Sequence, residues 1–288
     1  MSGRVVTIGN AMIDVIAAAP HLPRRGGDVL ATAGRLEVGG GGFRTVAAAR
    51  AAGAPALYAG RIGTGVFADL ARRALADAGI PAPLPPVPDR DTGYVLTVLE
   101  PDGERTFLTV PGAEATRPEL GGLVLDADDV VHVHGYGLVA PGRGAAIARF
   151  VESLGPSVRV LLDPGPFGAD ADPEVLARLL PRLDWWSGND AEARAATGLG
   201  DPVRAALLLA GTVRTGAVVR LGAEGCVLAV RGAAPVPLRA PAVDVVDTNG
   251  AGDTHVGVFL AGLLAGLDPV DAARAANEAA AAFVGAAR

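Results

Sequence analysis

The sequence predicts an α/β fold in which a mostly parallel sheet is covered by helices. Three observations lead there. Residues 4–9 form a short run that is apolar at Val5, Val6 and Ile8, as in a strand buried on both faces. From Val130 onward, short β-branched runs alternate with alanine- and leucine-rich helical segments, the pattern of strand–helix–strand units. Residues 92–99 and 105–110 flank Pro101-Asp102-Gly103-Glu104 and read as a hairpin with no helix of its own to cover it, so a small second sheet is expected.

The elements follow in chain order. Residues 9–14 continue from the end of the first strand, where open α/β sheets hold their ligands, so Asp14 is placed to face a site. Its plainer reading is an ordinary strand-end carboxylate. Residues 28–37 are mixed and β-prone at best. Gly39, Gly40, Gly41 and Gly42 permit positive φ and a close approach of backbone to ligand. Residues 45–52 are helical by composition, with Gly53 ending the helix. A dinucleotide-binding loop is excluded here, because Arg44 stands where the G-x-G-x-x-G spacing requires glycine. Arg44 suits a carboxylate or phosphate; alternatively it swings into solvent. Residues 57–63 read as a strand entering a turn, and Thr64 as the cap of a helix over 65–78. Prolines at 81, 83, 85, 86 and 88 keep the next stretch extended. Further strands are expected at 130–134, 158–162 and 217–221. Helices are expected at 142–154, 173–180, 202–209, 254–266 and 269–286, and a hairpin joins 225–231 to 236–240. Trp185 and Trp186 point to opposite faces of a strand and are expected to pack.

Composition narrows the function. The chain has 288 residues, half of them hydrophobic, and a net charge of −6. It has no block of basic residues, which argues against nucleic acid and anionic membranes as partners. A single cysteine, Cys226, excludes an intrachain disulfide and fits a reducing compartment. Without a leader-like segment or an apolar run of membrane-spanning length, a soluble, cytoplasmic protein is expected. Every basic residue among the Lys and Arg is arginine. Phosphate loops of the Walker type and protein kinases both need a lysine, so both are excluded.

The chemistry concentrates in Asp247-Thr248-Asn249-Gly250-Ala251-Gly252-Asp253. This stretch follows an apolar β-branched run, residues 242–246, and opens a long apolar segment that reads as a helix. Bare glycine backbone at a helix start gathers N–H groups where the helix dipole favours negative charge, which makes an anion site. Asp253 at that same start would repel a bound phosphate unless it serves chemistry. Within reach of a hydroxyl, it can take a proton while the anion site holds a transferring phosphoryl group. A glycine-rich turn before an acidic helix start is the plainer alternative. Asn189 and Glu192 lie three apart at another helix start, placed to orient a metal's water or a phosphate, or simply to cap. His132 and His134 share one strand face, and two histidines without a third ligand make a poor zinc site; His134, at the strand end, is placed to line a ligand site. Arg105 is expected to pair with an acid.

Residues 247–253 resemble the D-T-x-G-A-G-D signature of the ribokinase-like, or PfkB, carbohydrate kinases. The resemblance extends in order from Gly9 to Asn277. It implies a three-layer ribokinase-like domain over residues 1–288, with a small β lid drawn from about 11–18, 28–38 and 92–111. It implies ATP-dependent phosphorylation of a hydroxyl on a small sugar, with Asp253 as base and Gly250, Ala251 and Gly252 as anion hole. Asp14, Gly39, Gly40 and Arg44 would face the sugar, although the family has Asn where this chain has Arg44. Asn189, Glu192, Arg220, Gly222, Gly225, Thr248 and Asn277 would face the nucleotide, with Glu192 acting on Mg2+ through water. A monovalent cation near Asp247 and a homodimer through the lid are further implications. A nucleoside kinase of the same fold and a non-catalytic sugar- or nucleotide-binding regulator are the alternatives.

Overall fold

The computed structural model describes residues 3–140 and 142–286. The chain opens with β1 (Val5–Ile8), β2 (Met12–Ala18), β3 (Ala33–Gly39) and α1 (Gly41–Ala51), followed by β4 (Ala56–Tyr58) and α2 (Val66–Asp77). The hairpin is β5 (Tyr94–Leu99) and β6 (Arg105–Val110). Then come β7 (Val130–His134), the one-turn α3 (Tyr136–Val139), α4 (Arg143–Ser153), β8 (Arg159–Asp163), α5 (Pro173–Leu179), β9 (Trp185–Asn189), α6 (Asp190–Thr197) and α7 (Pro202–Thr212). The last elements are β10 (Gly216–Arg220), β11 (Cys226–Val230), β12 (Val236–Leu238), α8 (Ala251–Leu264) and α9 (Pro269–Gly285).

The large sheet runs β12-β11-β10-β9-β8-β7-β1-β4. All pairings from β4 to β10 are parallel, and only β11 and β12 turn back. Strand residues alternate between two cores, as a two-residue period requires. Val6, Leu162 and Trp186 face α4 to α7. Val5, Leu161 and Trp185 face α8 and α9, where Trp185 meets Phe259 edge-on, with ring centroids 5.1 Å apart. The result is three layers, with every strand C-terminus of the parallel part opening on one edge.

The small sheet runs β3-β2-β5-β6. Its register separates two faces. Asp14 is level with Val95, and Val95 with Thr109; that row faces the edge of the large sheet where its strands end. The neighbouring row joins Leu36, Val15, Leu96 and Leu108. Leu36 and Leu108 are more than half exposed, so this side carries bare apolar surface.

Two local expectations are corrected. Helix α1 begins at Gly41 rather than Thr45. Of the four glycines only Gly40 takes positive φ, 88°, while Gly42 is needed for close approach: a methyl there would lie 2.6 Å from the Asn10 nitrogen and 2.7 Å from Gly9 Cα. Backbone contact with β1's exit overrides glycine's poor helix propensity. Residues 242–246 join neither sheet; Val245 and Val246 are largely exposed, and the Val246 N–H donates to Val284 O. Thr64 does not cap α2. Asp91 does, accepting from the Phe67 and Ala68 N–H groups at 3.1 and 2.8 Å. Asp91→Ala should therefore cost about 0.5–2 kcal/mol of stability, and Thr64→Ala close to nothing; urea denaturation of the two variants checks the ranking.

Candidate active site

Two adjoining clefts lie where the parallel strands end. The first, about 670 Å³, is walled by Asp14, Arg44, His134, Asp163 and Asp253, with Phe107 of the hairpin as its roof. The second, about 540 Å³, is more apolar and includes Gly222, Gly225, His255, Asn277 and Val284. Asn189, Arg220, Thr248 and Gly252 line both. The seam between the clefts therefore falls on the turn that opens α8.

That turn is built by Gly250, whose φ of 92° makes it a left-handed N-cap. A Cβ there is disfavoured by conformation and would also lie 2.9 Å from Arg44 Cδ. The Ala251 N–H turns back to Thr248 O at 3.2 Å. Asp253 is in the first turn of α8, its side chain 17% exposed and 3.9 Å from His134 Nε2. Burial raises the Asp253 carboxyl above ordinary aspartate, against the pull of His134. Proton affinity raised in this way suits a group that must accept a proton.

Asp14 is buried and faces the first cleft as expected, but it lies inside β2, between Glu37 of β3 and Val95 of β5, rather than at the end of β1. Arg44 does not swing into solvent: its Nη2 donates to Asp14 Oδ2 at 2.7 Å. Burial raises the Asp14 carboxyl, while Arg44 opposes the shift. Gly40 lines the first cleft. Gly39 does not; it lies beneath Asp14, where a side chain would strike the carboxylate.

Asn189 and Glu192 form a full capping box at the start of α6, each side chain accepting from the other's backbone N–H at 2.8 and 2.7 Å. The plain capping reading is realised, yet both residues also line the first cleft. Burial, and then Asp163, raise the Glu192 carboxyl. Arg220 is more deeply engaged than a surface phosphate contact. Its Nη1 donates to Ser187 Oγ at 2.9 Å and to Asp163 Oδ2 at 3.3 Å, and Nη2 lies 3.5 Å from Glu192. Burial pushes the Asp163 carboxyl up, but Arg220 and the histidines beside it hold it below its ordinary value. Asn277 is buried and donates to Leu238 O at 3.1 Å.

Sequence reading missed Asp163. Its one signal was the strand-end position that also marked Asp14. With His134 and Asp253 it brings ligand-type atoms within 4.8 Å of one another, although Arg220 already lies against Asp163. Tyr136, stacked on His134 at 5.3 Å, and Phe167, 5.0 Å beyond it, were missed as well. Arg105 pairs with Asp247 at 2.7 Å, joining the hairpin to the loop before α8.

The sequence pattern of the pfkB family carbohydrate kinases matches residues 2–287. The chain is 33% identical to the "Uncharacterized sugar kinase YegV" of Escherichia coli (strain K12), over 98% of this chain and 88% of that protein. The structure of Arabidopsis thaliana ribokinase complexed with ribose and ATP superposes with a TM-score of 0.83 at 25% identity, covering 99% of this chain and 93% of the other. The adenosine kinase from Sinorhizobium meliloti shares the fold, with a TM-score of 0.81 at 24% identity over 99% and 95% of the two chains. With the motif at residues 247–253 seated at the junction of two clefts, the chain belongs to the pfkB family of carbohydrate kinases and is a phosphotransferase acting on a sugar hydroxyl.

Proposed function

We propose that the first cleft takes a small sugar or sugar derivative, the second takes ATP, and the γ-phosphoryl group passes between them at Gly252. The observation that carries this is the shared wall: Asp253 faces the first cleft, while Gly252 faces both. Asp14 would accept hydrogen bonds from sugar hydroxyls through the oxygen that Arg44 leaves open. Asp253 would take the proton of the attacking hydroxyl as its oxygen bonds to the γ-phosphorus and the bond to ADP breaks. N–H groups of Gly250, Ala251 and Gly252 would hold the developing charge, with the long Ala251–Thr248 bond giving way. The base and ribose would lie against Gly222, Gly225 and Asn277.

Magnesium fits Glu192 through water rather than directly, since both carboxylate oxygens already accept from Asn189. Bound there, it would neutralise phosphate charge. A monovalent cation at Asp247 does not fit, because Arg105 already meets that carboxylate. The whole chain would act as one unit with β2, β3, β5 and β6 as its lid. A buried, unpaired Cys226 and the use of ATP suit the cytoplasm.

The apolar row Leu36, Leu96 and Leu108 supports a homodimer through the outer face of the lid. Sedimentation should give twice the chain mass, falling to the monomer in Leu108→Glu; a wild-type monomer at high concentration would remove the dimer.

ADP release on a panel of sugars, sugar acids and nucleosides, with magnesium, tests the reading; turnover on a sugar supports it. A second reading rests on Phe107, Tyr136 and Phe167, three rings more than a third exposed that line the first cleft. They suit a flat base and favour a nucleoside acceptor, which the same panel would reveal. The intact Asp253 argues against a non-catalytic regulator, and silence across the panel with retained ATP binding would revive it.

A further inference from the structure

An arginine in a sugar cleft ordinarily signals an acidic substrate, but the surroundings of Arg44 point elsewhere. Its guanidinium is already met by Asp14, 2.7 Å away in the same wall, and its side chain is only 13% exposed. From there it runs to the turn that opens α8. A methyl group at Gly250 would lie 3.3 Å from Arg44 Nη1, and one at Gly252 would lie 3.4 Å from Arg220 Nη2. Two guanidinium groups therefore lie against Gly250-Ala251-Gly252, Arg44 near its first residue and Arg220 near its last. The chain has no lysine, and these are the only two arginines lining either cleft among the described residues. Arg220 is committed to Asp163, Ser187 and Glu192. Arg44 has a planar fork of five donors, and its Nη2 is the group placed on Asp14. The Arg44 charge also reaches Asp253, whose carboxyl it pulls down.

We propose that Arg44 is a catalytic residue of phosphoryl transfer: anchored on Asp14, it turns its remaining N–H groups to the phosphoryl group in flight, and the acceptor is an uncharged polyol. The inference rests on the kinase reading above. In the step, the acceptor oxygen bonds to the γ-phosphorus, the bond to the ADP oxygen breaks, and the hydroxyl proton goes to Asp253. Arg44 keeps its protons and offsets charge on the phosphoryl oxygens, as cationic clamps do. An anionic acceptor would compete with the phosphoryl group for those same N–H groups and would also face the carboxylates of Asp14 and Asp253.

The test uses whichever neutral acceptor the purified protein phosphorylates fastest. Arg44→Asn should lower kcat by about 10²–10³-fold, with the sugar KM and ATP affinity changing far less. Arg44→Lys should keep part of the rate, and guanidinium ion added to Arg44→Ala should restore some. Circular dichroism confirms that each variant is folded. Unchanged kcat in Arg44→Asn overturns the proposal, as does a loss confined to the sugar KM. So does a wild-type preference for a sugar acid or sugar phosphate that disappears in Arg44→Asn. A wild-type protein that releases no ADP with any acceptor overturns the kinase reading and this inference with it, whereas an active wild type isolates the failure to Arg44.

Discussion

Asp253→Asn is expected to lose about 10²–10⁴-fold in kcat, with ATP affinity nearly unchanged. The substitution keeps size and polarity but removes the proton acceptor, and the second cleft does not include the Asp253 side chain. The pH dependence has a defined sign. Burial holds the Asp253 carboxyl above the ordinary aspartate value of 3.8. A base works deprotonated, so kcat/KM should fall as pH drops through a value above 3.8, and that limb should be absent from the residual activity of Asp253→Asn. Steady-state kinetics between pH 4.5 and 8 would show it, taking roughly that range to cover a carboxyl raised by burial. Near-normal turnover in Asp253→Asn would remove Asp253 from the chemistry.

Arg220→Met is expected to cost about 3–5 kcal/mol of stability, because it leaves buried carboxylates without their counter-charge. Asp163 is almost wholly buried and Glu192 lies on the other side of the same guanidinium. Adding Asp163→Asn should recover part of the loss, a non-additivity that a double-mutant cycle reads directly. The linkage sign follows from Asp163. In the native protein its carboxyl sits below 3.8, so it contributes stability above that pH that is lost as pH falls through the folded-state value. Without Arg220 the largest influence opposing burial is lost and the folded-state value moves upward. The deficit of Arg220→Met should therefore shrink on acidification. Denaturation midpoints at neutral pH and near pH 4 check both claims; a variant as stable as the native protein at neutral pH would mean the cluster is solvated.

Much of this was legible because it is written locally. The alternation after Val130 shows in the β-branched and alanine-rich runs themselves. The motif at 247–253 carries its own turn, cap and acid within one helix start, and Asp14 follows shortly after the first buried run, although it belongs to β2. Trp185 and Trp186 divided between the two faces because a strand's period leaves no alternative. What stayed hidden depends on partners far away in the chain. Asp91 caps a helix that begins 25 positions earlier, so Thr64 was the nearer but wrong candidate. Asp163 and Arg220, 57 positions apart, meet only because β8, β9 and β10 lie side by side. The pairing of Arg105 was expected, but its partner Asp247, 142 positions on, was not. The start of α1 at Gly41 was concealed for a different reason: glycine's helix propensity argues against it, and the contact with Gly9 and Asn10 decides it.

The central claim is that this chain moves a phosphoryl group onto a sugar hydroxyl with Asp253 as the base. Phosphorus NMR of the purified protein with ATP, magnesium and its best acceptor tests that most directly. The account predicts a new phosphomonoester signal growing in step with ADP, and nearly none in Asp253→Asn. ADP appearing with free phosphate and no phosphorylated acceptor, or equal product from the variant, would contradict it.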